Sequence, residues 1–114
     1  MDKLPQVAQQ FIKTHFSTIN VATIMQDYDS YDVIFSNGYK IEFDRKGNWE
    51  EVDCGTDAVP SAIIPANINN YVSKSFTENF IVDISKDRRK YNVELNNDID
   101  LEFDKEGNFL RFDD

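Results

Sequence analysis

Ile41-Glu42-Phe43-Asp44-Arg45-Lys46-Gly47-Asn48-Trp49 and, sixty residues on, Leu101-Glu102-Phe103-Asp104-Lys105-Glu106-Gly107-Asn108-Phe109 are two versions of one pattern. Each alternates apolar and acidic residues, reaches a Gly after two charged residues, and resumes on an aromatic one. Alternation with period two marks a strand with one buried face. Gly between two such runs marks a hairpin turn that needs positive φ. The block reads as strand, turn, strand, and it occurs twice.

Working outward, a shift of 60 aligns residues 4–53 with 64–113 without a gap, and 13 of the 50 positions are identical. Such a match points to two copies of one supersecondary unit, joined near residues 54–63, within a single domain spanning 1–114. Each copy opens with a helix. Leu4, Val7, Ala8, Phe11, Ile12 and Phe16 keep 3.6-residue spacing, and Ile64, Ile68, Tyr71, Val72 and Phe76 repeat it. Pro5 and Pro65 stand where a first-turn proline is tolerated. Residues 58–63 add a short helical turn ahead of the second helix. Strands are predicted near 20–27, 31–36, 39–44 and 48–54, then 80–87, 90–96, 99–104 and 108–113. Asn37-Gly38 signals a two-residue hairpin, and Asn97-Asp98 is a weaker version of it. The predicted fold class is α+β: a tandem repeat of a helix plus a four-stranded antiparallel meander. It has about eight strands in one sheet and two helices on one face.

Alternation assigns the faces. Ala22, Ile24, Tyr31, Val33, Phe35, Ile41, Phe43 and Val52 should pack under the first helix. Val82, Ile84, Tyr91, Val93, Leu95, Leu101, Phe103 and Phe112 should do so in the second copy. The opposite, open face collects Asp32, Ile34, Lys40, Glu42, Trp49, Glu51, Asp53, Asp83, Glu94, Asp100, Glu102, Phe109, Arg111 and Asp113. Exposed aromatics in a polar surface are typical interface anchors. Trp49 is therefore the expected principal anchor for a protein partner, and Phe109 its counterpart. Ile34 and Met25 lie beside them, with Glu42, Glu51, Asp100 and Glu102 as charged ground favouring basic residues. The competing reading has Trp49 and Phe109 cover the sheet edge or the seam between the two units.

Charge and composition exclude several classes. Twelve Lys and Arg against twenty-one Asp and Glu give a formal net charge of -9, and both halves share the excess. Neither half offers a basic patch to steer nucleic acid, so no nucleic-acid partner is expected. No apolar run approaches the ~20 residues of a membrane span. Cys54 is the sole cysteine, and it has no second Cys and only one distant His to pair with. His15, the sole histidine, continues the helix stripe, which excludes a multi-histidine metal site. No nucleophile elbow or Gly-rich phosphate loop is present. Asp98, Asp100, Glu102 and Asp104 alternate along one strand, with neighbours ~7 Å apart. That is too far for two of them to grip one Ca²⁺ without an adjacent strand. Asp27-Tyr28-Asp29-Ser30-Tyr31-Asp32 is a better local chelator because a turn can bend it. Paired carboxylates for glycoside hydrolysis lack the deep cleft that would desolvate an acid.

The Leu4-Pro5 helix opening with Phe11-Ile12, Ser36-Asn37-Gly38 before Ile41-Glu42-Phe43-Asp44, Gly47-Asn48-Trp49, and Val59-Pro60 ahead of Ile64-Pro65 resemble the PepSY-like proteins exported by gut Bacteroidetes. The resemblance spans almost the whole chain. It implies a helix plus four-stranded unit used twice, like the fold of the secreted beta-lactamase inhibitor protein. It also implies a periplasmic or secreted location, with an export signal absent from this sequence. It offers no catalytic residue to carry over, and two readings compete. One is a non-enzymatic, monomeric envelope module that binds a protein through its open sheet face and inhibits a peptidase or other exported enzyme. The other is a calcium-binding or calcium-regulated protein; on the first reading no cofactor is needed.

Overall fold

The structure is a computed structural model and describes residues 2–112. Asp113, assigned above to the open face, lies outside the described residues. The chain divides into two compact units, up to Asp53 and from Cys54 onward. The first holds α1 (Gln6–His15), β1 (Val21–Gln26), β2 (Ser30–Phe35), β3 (Lys40–Asp44) and β4 (Trp49–Asp53). The second holds a 3-10 turn (Ser61–Ile63), α2 (Ala66–Ser75), β5 (Ile81–Lys86), β6 (Lys90–Leu95), β7 (Asp100–Asp104) and β8 (Phe109–Phe112). Two helices and eight strands among the described residues make an α+β fold. Each unit is an antiparallel meander whose strands lie in chain order.

Tight turns cause this order. Phe35 N–H donates to the Tyr39 carbonyl and Gly38 N–H to the Phe35 carbonyl, both at 2.9 Å. The loop is thus three residues, Ser36-Asn37-Gly38, with only Gly38 at positive φ (95°), rather than the expected two-residue turn. A type I turn followed by a left-handed residue closes a hairpin with one extra residue, whereas a two-residue type I′ turn needs two positive φ values. Asp98 takes the Gly38 role in the second unit at φ 68°, a conformation that Asp tolerates better than most residues.

In each unit the helix covers one sheet face. Ala8 and Ile12 of α1, with Leu4 just before it and Phe16 just after it, are buried above Val33, Phe35, Ile41, Phe43 and Val52. The Phe11 ring meets Phe43 edge-on at 5.7 Å. Val7, expected in this stripe, is exposed. Ile68 and Val72 of α2 cover Val93, Leu95, Leu101 and Phe103. The β3–β4 loop leans on the first turn of α1, so a Cβ on Gly47 would stand 2.9 Å from Pro5 Cβ and 3.0 Å from Ala8 N. In the second unit Asn67 on α2 donates to the Glu106 carbonyl at 3.0 Å, and a Cβ on Gly107 would stand 2.9 Å from Asn67 Cβ.

Four bulges revise the face assignment. Between Val21 and Thr23 the register slips, so Val21 opposes Phe35 and Ala22 is exposed rather than core; the same slip falls between Ile81 and Asp83. A second pair of slips puts Trp49 opposite Phe43 and Phe109 opposite Phe103. An extra residue on the bulged strand inverts its alternation. Trp49 and Phe109 therefore lie on the helix side, not the open face. Phe109 stacks on Tyr71 of α2 at 4.6 Å and 10°. Phe112 keeps the helix side, edge-on to Phe76, but is 58% exposed on the last strand.

Candidate functional site

With the aromatics turned inward, the open face is a polar lattice ordered by strand pairing. In the first unit Met25, Asp32, Glu42 and Glu51 are successive cross-strand partners from β1 to β4. Thr23, Ile34, Lys40 and Asp53 form the neighbouring row. In the second unit the same two rows read Ser85, Asn92, Glu102, Arg111 and Asp83, Glu94, Asp100. Side chains directly opposite on one face are ~5 Å apart at Cβ, so each row is a line of touching neighbours.

The two versions of the first row differ in how charge is handled. Glu102 is only 4% exposed. Its Oε1 accepts from Arg111 Nη2 at 2.8 Å and Nε at 3.2 Å, and its Oε2 pairs with Lys90 Nζ at 3.2 Å. Glu102 is thus closed off by two cations and is not the free charged ground expected of it. Sixty residues earlier, Ser30 stands at the Lys90 position and Glu51 at the Arg111 position. Three carboxylates, Asp32, Glu42 and Glu51, then face one another in sequence. Burial first, then the charges of Asp32 and Glu51, push the Glu42 pKa above the ordinary carboxylate range; Lys40 eases it and Asp29 adds to it. Asp32 Oδ1 is buried and accepts no hydrogen bond.

The site residues read from the sequence separate accordingly. Glu42, Glu51 and Met25, which is 47% exposed, share one row, and Ile34 flanks it. Asp100 belongs to the second unit, in a shallow depression of about 220 Å³ with Asp83, Ser85, Asn92 and Glu94. Asp32, read from the sequence as part of the acidic turn and the open face but not of the partner surface, is linked by strand register to Met25 on one side and Glu42 on the other.

For a metal ion, Asp32, Glu42 and Glu51 lie on adjacent strands ~4.8 Å apart, yet their carboxylate oxygens do not gather within 4.8 Å of one another as a set of three. The Asp27–Asp32 turn is no better suited, because Asp27 Oδ1 already accepts the Tyr28 N–H at 2.7 Å. Asp44 and Asp104 are turn-holders. Each takes N–H donations from two loop residues through Oδ1. Burial opposes the Asp44 charge, but the N–H groups of Asn48, Lys46 and Gly47 together outweigh it and leave the pKa low. For Asp104 the Asn108 N–H leads the lowering. His15 packs against Phe11 with ring centroids 4.7 Å apart, and burial lowers its pKa. Cys54 is 1% exposed.

Helix-covered four-stranded meanders with an acidic open face define a small α+β module rather than a cleft. A family model described as "Putative beta-lactamase-inhibitor-like, PepSY-like" matches residues 29–111. The chain belongs to this family. A solved structure from Bacteroides thetaiotaomicron, described as a "putative calcium-regulated periplasmic protein", is 48% identical with a TM-score of 0.93, covering 99% of this chain and 92% of that one. Two from Bacteroides vulgatus, each described as a "putative periplasmic protein", are 44% and 37% identical. Their TM-scores are 0.92 and 0.93, covering 99% of this chain and 92% and 94% of theirs. A search of curated proteins returns no match. The chain is a periplasmic protein of this kind, and no helix among the described residues is long and apolar enough to cross a membrane.

Proposed function

We propose that this protein is a non-enzymatic periplasmic binding module that holds basic residues of a partner protein on the Asp32–Glu42–Glu51 row. One observation carries the reading. The equivalent row of the second unit is neutralised from within by Lys90 and Arg111, while among the described residues the first unit's row runs Asp32, Glu42, Glu51 with no Lys or Arg in it. A partner's Lys or Arg would do for Glu42 what Lys90 and Arg111 do for Glu102. Met25 and Ile34 add apolar contact beside the charges, and charge complementarity supplies orientation and on-rate. An exported enzyme, such as a peptidase with a basic rim, is a partner that such a surface inhibits by covering it. Peptide display against the immobilised protein tests the reading. Enriched peptides should carry Lys or Arg, and Glu42→Gln with Glu51→Gln should abolish their capture. Enrichment of neutral peptides that bind the double variant equally well would overturn it.

A second reading, calcium binding on the first unit's open face, rests on the buried Asp32 Oδ1 that accepts no hydrogen bond. The description of the 48%-identical relative agrees with it. An ion that binds only the folded state raises its melting temperature. On this reading millimolar Ca²⁺ raises Tm for the native chain and not for Glu42→Gln/Glu51→Gln. An unchanged Tm rejects it.

A further inference from the structure

The hairpin tips that begin each meander share one backbone frame and carry opposite charge. Asp27 N–H donates to the Ser30 carbonyl at 2.9 Å, and Asp87 N–H to the Lys90 carbonyl at 3.0 Å. Each tip aspartate also caps its own turn. Asp27 Oδ1 accepts from Tyr28 N–H at 2.7 Å, and Asp87 Oδ1 from Arg89 N–H at 2.7 Å. Between these fixed ends the side chains diverge. The first tip presents Tyr28, 90% exposed, and Asp29; the second presents Arg88 and Arg89, both exposed. Lys86-Asp87-Arg88-Arg89-Lys90 gathers four cations into five residues of a chain whose net charge is -9. This local basic cluster is a departure from the even acidity read from the sequence. The turn itself needs only the aspartate, so local structure does not account for the arginines.

We propose that these tips are complementary contacts between two copies of this chain: Arg88 and Arg89 of one copy meet Tyr28 and Asp29 of another. A guanidinium can lie on the tyrosine ring and pair with the adjacent carboxylate, a combination open to Arg and poorly served by Lys. The acidic side extends inward from the tip, because the Asp29 charge is felt at Glu42 in the carboxylate row. An incoming arginine relieves that repulsion as well as pairing with Asp29. The overall charge of -9 opposes association. At physiological salt, however, charges beyond ~8 Å are largely screened, so a contact at hairpin tips answers to its own residues. The contact is weak and charge-directed, because exposed pairs contribute little individually.

Sedimentation velocity on the full chain at about 0.15 M salt, up to about 1 mM given the weakness of exposed pairs, tests this. The native protein should show a concentration-dependent rise in sedimentation coefficient. Asp29→Arg alone, and Arg88→Asp/Arg89→Asp alone, should each weaken association at least about tenfold, since like charges then face each other. An equimolar mixture of the two variants should recover it, because every contact between unlike copies is again between opposite charges. Both variants keep Asp27 and Asp87, which hold the turns, and unchanged thermal melts would show that they fold. A native protein that stays monomeric throughout overturns the proposal. So do variants that associate as the native does, or a mixture that fails to recover association.

Discussion

Glu42 and Glu102 occupy the same place in the two units, yet neutralising them should have opposite effects on stability. In Glu102→Gln a side chain 5% exposed loses two Arg111 N–H donations to Oε1 and the Lys90 ion pair. The new amide also sets a donor against donors. Hydrogen bonds to charged groups contribute ~1.5–3 kcal/mol each when buried. Here the Arg111 and Lys90 side chains are 63% and 37% exposed and can return to water. The expected loss is therefore about 1–2 kcal/mol. In Glu42→Gln the change removes a carboxylate whose neighbours across both strands are carboxylates. Like charges directly opposite cost ~0.2–1 kcal/mol, so a gain of about 0.5 kcal/mol follows at pH 7. The sign of its pH dependence is fixed by the raised pKa of Glu42. Stability held by the protonated form is fully present below the unfolded pKa and is lost as pH rises through the folded one. Glutamine mimics that protonated form, so its advantage exists at pH 7 and vanishes near about pH 3, where glutamate is protonated in both states. Urea unfolding of both variants at the two pH values is the assay. A Glu42→Gln variant less stable than the native protein at pH 7, or one keeping its gain in acid, refutes the reasoning. So does a neutral Glu102→Gln.

Trp49→Ala should cost about 2–4 kcal/mol in denaturant melts, in the range of a large truncation on a packed face. A loss below about 0.5 kcal/mol, typical of surface sites, would mean the ring is not held on the helix side. Gly47→Ala should cost clearly more than Gly38→Ala. Both glycines have positive φ, but only at Gly47 would the new Cβ meet the backbone of α1. Equal losses would show that this loop does not press on the helix. Asp98→Gly should stabilise by roughly 0.5–1 kcal/mol by relieving a left-handed aspartate, read as a higher urea midpoint. The lowered pKa values of Asp44 and Asp104 contribute stability present above the ordinary carboxylate pKa and lost as pH falls through the depressed values. Asp44→Asn should flatten the acid limb of a stability–pH profile, and an unchanged limb would contradict the turn-holding role.

The 3.6-residue stripes that open each copy, and the alternating blocks around Phe43 and Phe103, make the helices, hairpins and antiparallel order legible in the sequence, because periodicity and turn glycines are local properties. Face assignment failed where a single inserted residue inverted the pattern. Nothing in Glu50 or Leu110 distinguishes a bulged residue from a regular one before its partner strand is known, so Trp49 and Phe109 were placed on the wrong side. The acidic open face was visible as composition. Which carboxylates touch was not, since Asp32, Glu42 and Glu51 meet only through register. That Glu102 is neutralised depends on Lys90 one strand away and Arg111 on the other side, pairings that no spacing along the chain displays.

Strand order that follows chain order has a kinetic consequence. Within each unit every strand finds its partner across a short turn, so little loop-closure entropy stands before the sheet forms, and rapid folding is favoured by such local topology. The contacts of greatest sequence separation named above are those that seat the helices: Gly47 against Pro5 and Ala8, and Glu106 against Asn67. Meander first and helix docking last is the order this implies. On that order a defect at Gly47 or Asn67 leaves the folding rate nearly unchanged and speeds unfolding instead. The helix seat, rather than the sheet, then governs how long the native state of each unit persists.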